Sequence, residues 1–412
     1  MNAEKSRLHN QTENNISDRR SRGISSLALP NHMLAVLSLT TVACTLPLPL
    51  LLKDSAHTAA VAWIVCLLCG LTVLMTVKKL SVMVITLVFG FSLISYSGSP
   101  VIAALILGSV ICIGTGSAIV YSGRGLQRIL LLILPVLSFG IAFAITKDPI
   151  YSLVALVYYP PMLALGISSS FKTGKTTSII SASAFIIATA FGFFLLLLKA
   201  RYGSVSLEAV SLAGADLGAS YVHLTESALL MAGMESISAS LHRQLQAEAQ
   251  LLVNSSFGLL VSICLVAVYL AHNLHCRILE SAGLSELVTK DMTTLTASVA
   301  SALIYIVAHV LTYTTNASGG TSVAAVVGAN LCYILMPLLA LKGYEALKVL
   351  IEKFYLLGLI ASAAIAIAIF ALSSFTSSSV LILLALTGAF YVIIAEVEQW
   401  AKDHFEKGES NE

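Results

Sequence analysis

The groups most able to do chemistry in this sequence are a few polar side chains inside long apolar stretches. His309 lies in ALIYIVAHVLTYTTN, and Tyr305 and Tyr313 stand four residues to either side of it. A spacing of four residues places all three side chains on one face of a helix. Polar groups in a membrane interior are costly and often mark ligand pathways, whereas tyrosine near an interface also serves hydrogen bonding between helices. The stripe is therefore interpreted either as the lining of a cavity or as a contact between helices.

Prolines interrupt three of the apolar stretches and indicate a second kind of site. The first stretch contains LPLP at 46–49, another contains YYPP at 158–161, and a third has Asn330 seven residues before Pro337. An interrupted helix frees backbone groups, which membranes tolerate only where protein or a cavity surrounds them, and a kink made for helix packing is the alternative. The stripe and the breaks together predict a substrate-binding site with five polar contacts: Tyr158, Tyr159, Tyr305, His309 and Asn330.

Other kinds of chemistry find little support in the sequence. The segment GISSSFKTGKTT at 166–177 looks like a phosphate-binding loop, but seven residues separate its glycines where the motif requires four, so it is interpreted as a basic turn. Cys66 and Cys69 form a C-x-x-C motif inside an apolar stretch, with no His or acidic ligand beside it. No Ser/His/Asp arrangement is visible in the sequence. We therefore expect a protein that is not an enzyme and that holds neither a metal nor a cofactor.

The elements that carry the polar residues are predicted to be membrane helices. Of the 412 residues, 57% are hydrophobic and 11% are charged, and the mean hydropathy is +0.91. Because a helix needs about 20 apolar residues to span a bilayer, this composition predicts an all-α, polytopic integral membrane protein. About twelve spans are predicted, and ten is the alternative, because either of two pairs with short turns could be re-entrant. The twelve predicted spans are 33–52, 58–77, 81–97, 101–121, 129–146, 150–168, 178–198, 251–272, 294–314, 321–341, 355–373 and 379–395.

Charge gives the predicted spans a direction. The 23 Lys and Arg residues nearly balance the 21 Asp and Glu residues, so no nucleic-acid partner is predicted. Most of the basic residues fall in alternate loops, and none falls within a predicted span. By the positive-inside rule the basic side is cytoplasmic, so both termini are predicted to lie in the cytoplasm.

The predicted spans and loops divide the chain into five parts. In the one long loop, Ile237, Leu241 and Leu245 recur every four residues, which predicts an amphipathic helix that could run directly into the following span. This loop is interpreted either as a lid over a cavity or as a helix on the membrane surface. The parts are a disordered basic cytoplasmic tail (1–32), an N-terminal bundle of about seven helices (33–198), an extracytoplasmic acidic helical loop (199–250), a C-terminal bundle of about five helices (251–395) and a cytoplasmic tail (396–412).

The stretch from about 250 to 400 resembles a known family. It contains HNLHCRILESAGLSE at 272–286, GANLCYILMPLLALKGYEALK at 328–348 and the acidic exit EVEQW at 396–400. In these segments the chain resembles the YybS-like family of predicted bacterial polytopic membrane proteins, whose function is unknown. That family is distantly similar to the substrate-binding subunits of energy-coupling-factor vitamin transporters. The resemblance implies a multi-pass protein of the bacterial cytoplasmic membrane, and it supplies no catalytic residues.

Two functions remain open from the sequence. The first is binding or transport of a small or lipid-like molecule in the lipid bilayer. Active transport would then draw on a partner ATPase or on a gradient coupled without carboxylates, because mid-span Asp and Glu are lacking. The alternative is a membrane scaffold for cell-envelope, division or sporulation machinery, which would bind envelope proteins through the outer acidic loop or the basic tail.

Overall fold

The helical prediction is confirmed in the part of the chain that the structure describes. The computed structural model describes residues 29–53, 58–77, 100–121, 126–231, 238–284, 288–289, 292, 295–317, 323–353 and 379–409. Every regular element within these ranges is helical. The predicted spans 81–97 and 355–373, and most of the predicted N-terminal tail, lie outside the described residues.

The described helices are numbered here in chain order. Up to residue 202 they are α1 (Asn31–Thr45), α2 (Pro47–Lys53), α3 (Thr58–Val77), α4 (Pro100–Tyr121), α5 (Leu126–Thr146), α6 (Pro149–Leu153), a 3-10 helix (Val154–Tyr158), α7 (Tyr159–Ser170) and α8 (Lys175–Tyr202). The later ones are α9 (Leu207–Met231), α10 (Ala239–Ser281), α11 (Val299–Ala317), α12 (Val323–Lys353) and α13 (Ser379–Glu409). Helix α13 thus continues from the last predicted span through most of the residues predicted as a C-terminal tail.

Eight of the described helical segments are long and apolar enough to cross a membrane. They are Asn31–Lys53, Ala104–Tyr121, Ile129–Thr146, Pro149–Ser170, Lys175–Tyr202, Val253–Ser281, Val323–Leu347 and Leu381–Ala401. Their length and composition make the chain a multi-pass helical membrane protein. The eight segments fall short of the twelve predicted spans, because two predicted spans coincide with the shorter apolar helices Ala60–Leu74 and Val299–Thr312 and two lie outside the described residues.

The chain divides into two compact units. The first contains residues 1–189 and 267–294, and the second contains residues 190–266 and 295–412. Helices α8 and α10 each contribute one end to the first unit and the other end to the second.

Buried hydroxyl pairs join the helices of the first unit. Helix α1 packs against α4, α3 and α5. Thr41 Oγ1 lies 2.8 Å from Thr115 Oγ1 on α4, and Thr40 Oγ1 lies 2.5 Å from Thr72 Oγ1 on α3. Hydrogen bonds of this kind, together with close packing, hold helices together where lipid removes the usual hydrophobic drive.

The predicted proline break in the first span is confirmed. Helix α1 ends at Thr45 and α2 begins at Pro47, whose missing N–H suits a first helical turn. The backbone next to the break is packed against α4, since a Cβ placed on Gly108 would lie 3.3 Å from the carbonyl oxygen of Cys44. The break is therefore surrounded by protein, as the membrane requires.

Helices α11, α12 and α13 form the core of the second unit. Helices α12 and α13 approach until their backbones touch, because a Cβ on Gly343 would overlap the Leu384 carbonyl and a Cβ on Gly388 would overlap the Leu339 carbonyl. The predicted break at Pro337 is wrong, since α12 runs through this residue without interruption. A single proline removes one N–H, and membrane helices tolerate that loss inside a packed bundle.

Helix α10 is 43 residues long and connects the long loop to a span. The sequence pattern at 237–245 predicted such a continuation, and the structure confirms it. The first part of α10 packs against α9 through Val222, Leu245 and Ala249. Helix α9 and this part of α10 lie outside the eight membrane-spanning segments.

Helix α6 begins at an acidic cap between two spans. Asp148 Oδ1 accepts hydrogen bonds from the backbone N–H groups of Ile150 at 2.9 Å and Tyr151 at 3.5 Å, and Asp148 Oδ2 lies 3.4 Å from Lys53 Nζ. Desolvation raises the pKa of this carboxyl, but the two N–H groups and the lysine charge outweigh it, so the pKa of Asp148 is lowered. The contact ties the end of α2 to the start of α6.

Candidate ligand-binding site

The predicted break at Tyr158 and Tyr159 is a 3-10 segment packed inside the first unit. Tyr158 ends the 3-10 helix with 5% of its surface exposed, and Pro160 lies in the first turn of α7. The Thr189 hydroxyl lies 3.4 Å from the Val157 carbonyl at the break, and its shortest contact is with the Phe185 carbonyl at 2.7 Å. The Tyr159 hydroxyl lies 2.6 Å from Ser138 Oγ on α5. Protein side chains thus surround the two tyrosines.

Tyr305 and His309 lie together on α11 in the second unit. Their rings stack with centroids 6.2 Å apart, as the four-residue spacing predicted. Tyr305 is fully buried in the core with Leu339 and Ala385, yet its hydroxyl has no hydrogen-bond partner. A buried hydroxyl without a partner costs about 1–3 kcal/mol, so this oxygen is the predicted contact best placed to bind a polar group. The side chain of Tyr313 lies outside the described residues.

Asn330 clamps α12 onto α10 in the second unit. Its Oδ1 accepts from the backbone N–H of Gly258 at 2.7 Å, and its Nδ2 donates to the Asn254 carbonyl at 2.9 Å and to the Val326 carbonyl at 2.8 Å. Gly258 N–H and Asn254 C=O are the two groups that a regular helix would pair with each other. A Cβ on Gly258 would lie 2.6 Å from the Asn330 carbonyl oxygen, so only glycine fits this crossing. Both amide hydrogens of Asn330 are used within the protein.

A groove opens between α9 and the first part of α10. Its volume is about 820 Å³, which lies in the range of small-molecule sites. A Cβ on Gly214 would lie 3.3 Å from Val253 Cγ1, so the two helices approach closely at the end of the groove beside the span. Small and apolar residues of α9 build one wall, namely Val210, Gly214, Ala215, Gly218, Ala219 and Val222.

Polar side chains at the other end of the groove are held in a defined arrangement. Glu226 Oε1 on α9 lies 2.5 Å from His242 Nδ1 on α10, and Gln246 Nε2 lies 3.0 Å from His242 Nε2. A carboxylate accepts from Nδ1–H, so Nε2 is left to accept from the glutamine amide, and one neutral tautomer satisfies both contacts. An apolar wall with a polar end suits a molecule that has an apolar body and a polar head.

The sequence does carry a signal for this groove, although it was not among the predicted sites. Gly214 and Gly218 stand four residues apart on one helix face, and His242, Gln246 and Gln250 repeat at the same spacing on another. A stripe of small residues facing a stripe of polar ones is visible only when the two helices are known to be neighbours. Sequence periodicity gives the faces, and the tertiary structure pairs them.

Metal chemistry finds no further support in the described residues, which include no group of three or more His, Cys, Asp or Glu side chains that could hold a metal ion.

Comparison with known proteins gives no match, whether to a family model, to a curated protein or to a solved structure. The geometry of the chain's own residues is therefore the basis on which a function can be proposed.

Proposed function

We propose that this protein binds or transports a small or lipid-like molecule. The observation that carries the proposal is the groove between α9 and α10, with its apolar wall of small residues and its polar end at Glu226 and His242. The groove reaches Val253, where a membrane-spanning segment begins. A molecule with a long apolar body could therefore pass between the bilayer and this groove.

The five predicted polar residues are proposed as contacts within the membrane bundles. Tyr305 has the most support, because its buried hydroxyl has no partner. Tyr159 and Asn330 already make hydrogen bonds within the protein, so they would share those groups with a ligand. Tyr158 in the first unit and His309 in the second would each contribute ring surface to a largely apolar contact within its own unit.

The membrane setting is also part of the proposal. We infer about twelve spans with both termini in the cytoplasm, in the bacterial cytoplasmic membrane, from the distribution of basic residues and the resemblance to the YybS-like family. A partner ATPase would then bind on the cytoplasmic side, whereas the groove would face outward. Labelling of single cysteines at positions 225 and 282 in intact cells tests this orientation. Labelling at 282 together with shielding at 225 would invert it.

A pair of adjacent substitutions tests the groove. Ala219→Trp places a large ring on the groove wall, whereas Ser220→Trp places the same ring one residue along the exposed helix, outside the lining. Protein in lipid nanodiscs is titrated with a dansyl-labelled undecanoic acid as the probe, and native mass spectrometry of each purified variant detects retained molecules. We expect saturable probe binding in the unsubstituted protein and in Ser220→Trp, and loss of binding in Ala219→Trp. Absence of saturable binding in the unsubstituted protein, or equal binding in the two variants, would contradict the proposal.

A second function, a scaffold for envelope proteins, is favoured by one specific observation. Helix α9 lies outside the membrane-spanning segments and yet exposes Leu207, Leu212 and Leu217, at 88%, 49% and 48% of their surfaces. In a scaffold, a partner protein would cover these leucines. Loss of cellular function on replacing residues 203–250, with Ala219→Trp fully active, would favour the scaffold over ligand binding.

A further inference from the structure

Two buried histidines of α10 lie in the first unit and take no part in the groove. His272 and His275 are one helical turn apart within the Val253–Ser281 span, both with 0% exposure, and their ring centroids are 6.3 Å apart. The Nε2 atom of each ring is buried without a hydrogen-bond partner. Because such an atom costs about 1–3 kcal/mol, two of them in successive turns require an explanation.

The contacts of Ser117 favour one tautomer of His275. Ser117 Oγ donates to the Gly114 carbonyl at 2.9 Å and lies 3.0 Å from His275 Nδ1. A serine hydroxyl has a single hydrogen, so while that hydrogen points to the Gly114 carbonyl, the contact with His275 is made by Nδ1–H donating to the serine oxygen. A neutral imidazole has only one N–H. His275 Nε2 is therefore a bare lone pair, a proton acceptor buried within the span.

This lone pair lies where α4 and α10 cross closely. A Cβ placed on Gly114 would lie 3.0 Å from the Ala271 carbonyl oxygen and 3.2 Å from Leu274 Cβ. The ring of Tyr121 packs edge-on against the His275 ring, with centroids 5.9 Å apart. Helices packed this closely move between discrete arrangements, because a close-packed contact cannot deform gradually.

Among the residues that the structure describes, no buried carboxylate contacts His275 to balance a positive charge. Lys175, in the first turn of α8, is 6% exposed, and its charge is close enough to act on His272. Glu280, one turn beyond Cys276 on α10, is exposed. Among the described residues, the titratable groups around the two histidines are Tyr121 from α4, Lys175 from α8, and Tyr269, His272, Cys276 and Glu280 from α10 itself.

We propose that His275 Nε2 is a proton-binding site that controls the crossing of α4 and α10. Protonation places a charge and an unpartnered N–H in the closed crossing, beside the like charge of Lys175. The charged form is stable only where water reaches the ring, so uptake of a proton separates the two helices around Gly114 and Ala271. A chain without mid-span carboxylates thereby gains a means of responding to a proton gradient. This proposal uses no residue of the groove and stands or falls independently of it.

Hydrogen exchange measured by mass spectrometry tests the proposal on the full chain in nanodiscs. After correction for intrinsic exchange, the opening of peptides covering 111–121 and 268–281 is compared between pH 7.5 and pH 5. Uptake of one proton on opening raises the opening constant by up to about tenfold per pH unit. We expect acid to increase exchange in both peptides. Exchange that is independent of pH in these peptides would overturn the proposal.

Two substitutions separate the role of Nε2 from a structural role of the ring. In His275→Asn, the amide N–H₂ takes the place of Nδ1–H and keeps the bond to Ser117, whereas the Nε2 lone pair is lost. His309→Asn makes the same change in the second unit. We expect the pH response to vanish in His275→Asn and to persist in His309→Asn. A response that persists in His275→Asn, or vanishes in His309→Asn, would refute control by His275.

A spectroscopic measurement covers the case in which His275→Asn fails to fold. Nitrogen NMR of the unsubstituted protein with labelled histidine distinguishes a bare Nε2 from Nε2–H. At pH 7.5 we expect the signal of a buried histidine ring whose Nε2 carries no hydrogen and whose Nδ1–H is hydrogen-bonded. In acid this ring should gain a second proton over the same pH range in which the helices open. A spectrum in which the buried histidines carry Nε2–H would overturn the tautomer and the proposal with it.

Discussion

Replacement of Asn330 by alanine tests how the second unit is held together. The change removes the two hydrogen bonds from α12 to the Gly258 N–H and the Asn254 carbonyl. The third bond, to Val326, lies within α12 itself, and that carbonyl is the ordinary i−4 acceptor of the helix. The expected loss therefore comes from the two bonds between helices.

The magnitude follows from what each lost bond contributes in a membrane. Interhelical hydrogen bonds of membrane proteins contribute about 0.6 kcal/mol on average and at most about 1.7 kcal/mol. Two such bonds give roughly 1–3 kcal/mol for Asn330→Ala. The lower end holds if the Gly258 N–H and the Asn254 carbonyl pair with each other in α10, as a regular helix pairs them, because neither backbone group then needs the amide.

Asn254→Ala is the matched control at the same crossing. The Asn254 side chain accepts from Gln250 Nε2 at 3.2 Å in an exposed contact, and alanine leaves its backbone carbonyl in place for Asn330. We expect a change below about 0.5 kcal/mol for this control, as for other surface substitutions. Reversible unfolding by SDS titration in mixed micelles measures both variants. Equal stability of Asn330→Ala and the unsubstituted protein, or equal destabilisation by the two changes, would refute the clamp.

Three further outcomes are expected. Gly388→Ala should destabilise the protein by about 1–3 kcal/mol in the same titration, because the added Cβ would overlap the opposing backbone. Gly140→Ala is the control and should change stability little, because nothing lies within 4 Å of the added Cβ. Tyr305→Phe should leave stability equal or higher, since it removes a buried hydroxyl without a partner, and should weaken probe binding if that oxygen contacts the ligand. Asp148→Asn should lower thermal stability at neutral pH. Because the pKa of Asp148 is lowered in the folded protein, its ionised carboxylate stabilises the fold at any pH above the ordinary carboxyl pKa. This stabilisation disappears as the pH falls through the folded pKa, so the melting temperatures of the two proteins should converge in acid.

The helices of this protein are determined largely by its sequence. The span at 58–77 coincides with a helix from Thr58 to Val77, the break before Pro47 is where the prolines place it, and the pattern at 237–245 leads into one helix of 43 residues. These features depend on local properties, namely the length of an apolar run, the missing N–H of proline and the period of a helix face. Pro337 shows the limit, since the packed bundle keeps α12 continuous through it.

The partners of the polar groups are decided by the tertiary structure. The sequence predicted Asn330 as a ligand contact because of its place before Pro337 and gave His275 no role, yet packing gives Asn330 three hydrogen bonds and leaves His275 Nε2 with none. The groove likewise exists only because α9 and α10 lie side by side. A polar side chain has the same identity in every context, but its energy depends on which atoms surround it, and helices distant in sequence supply those atoms.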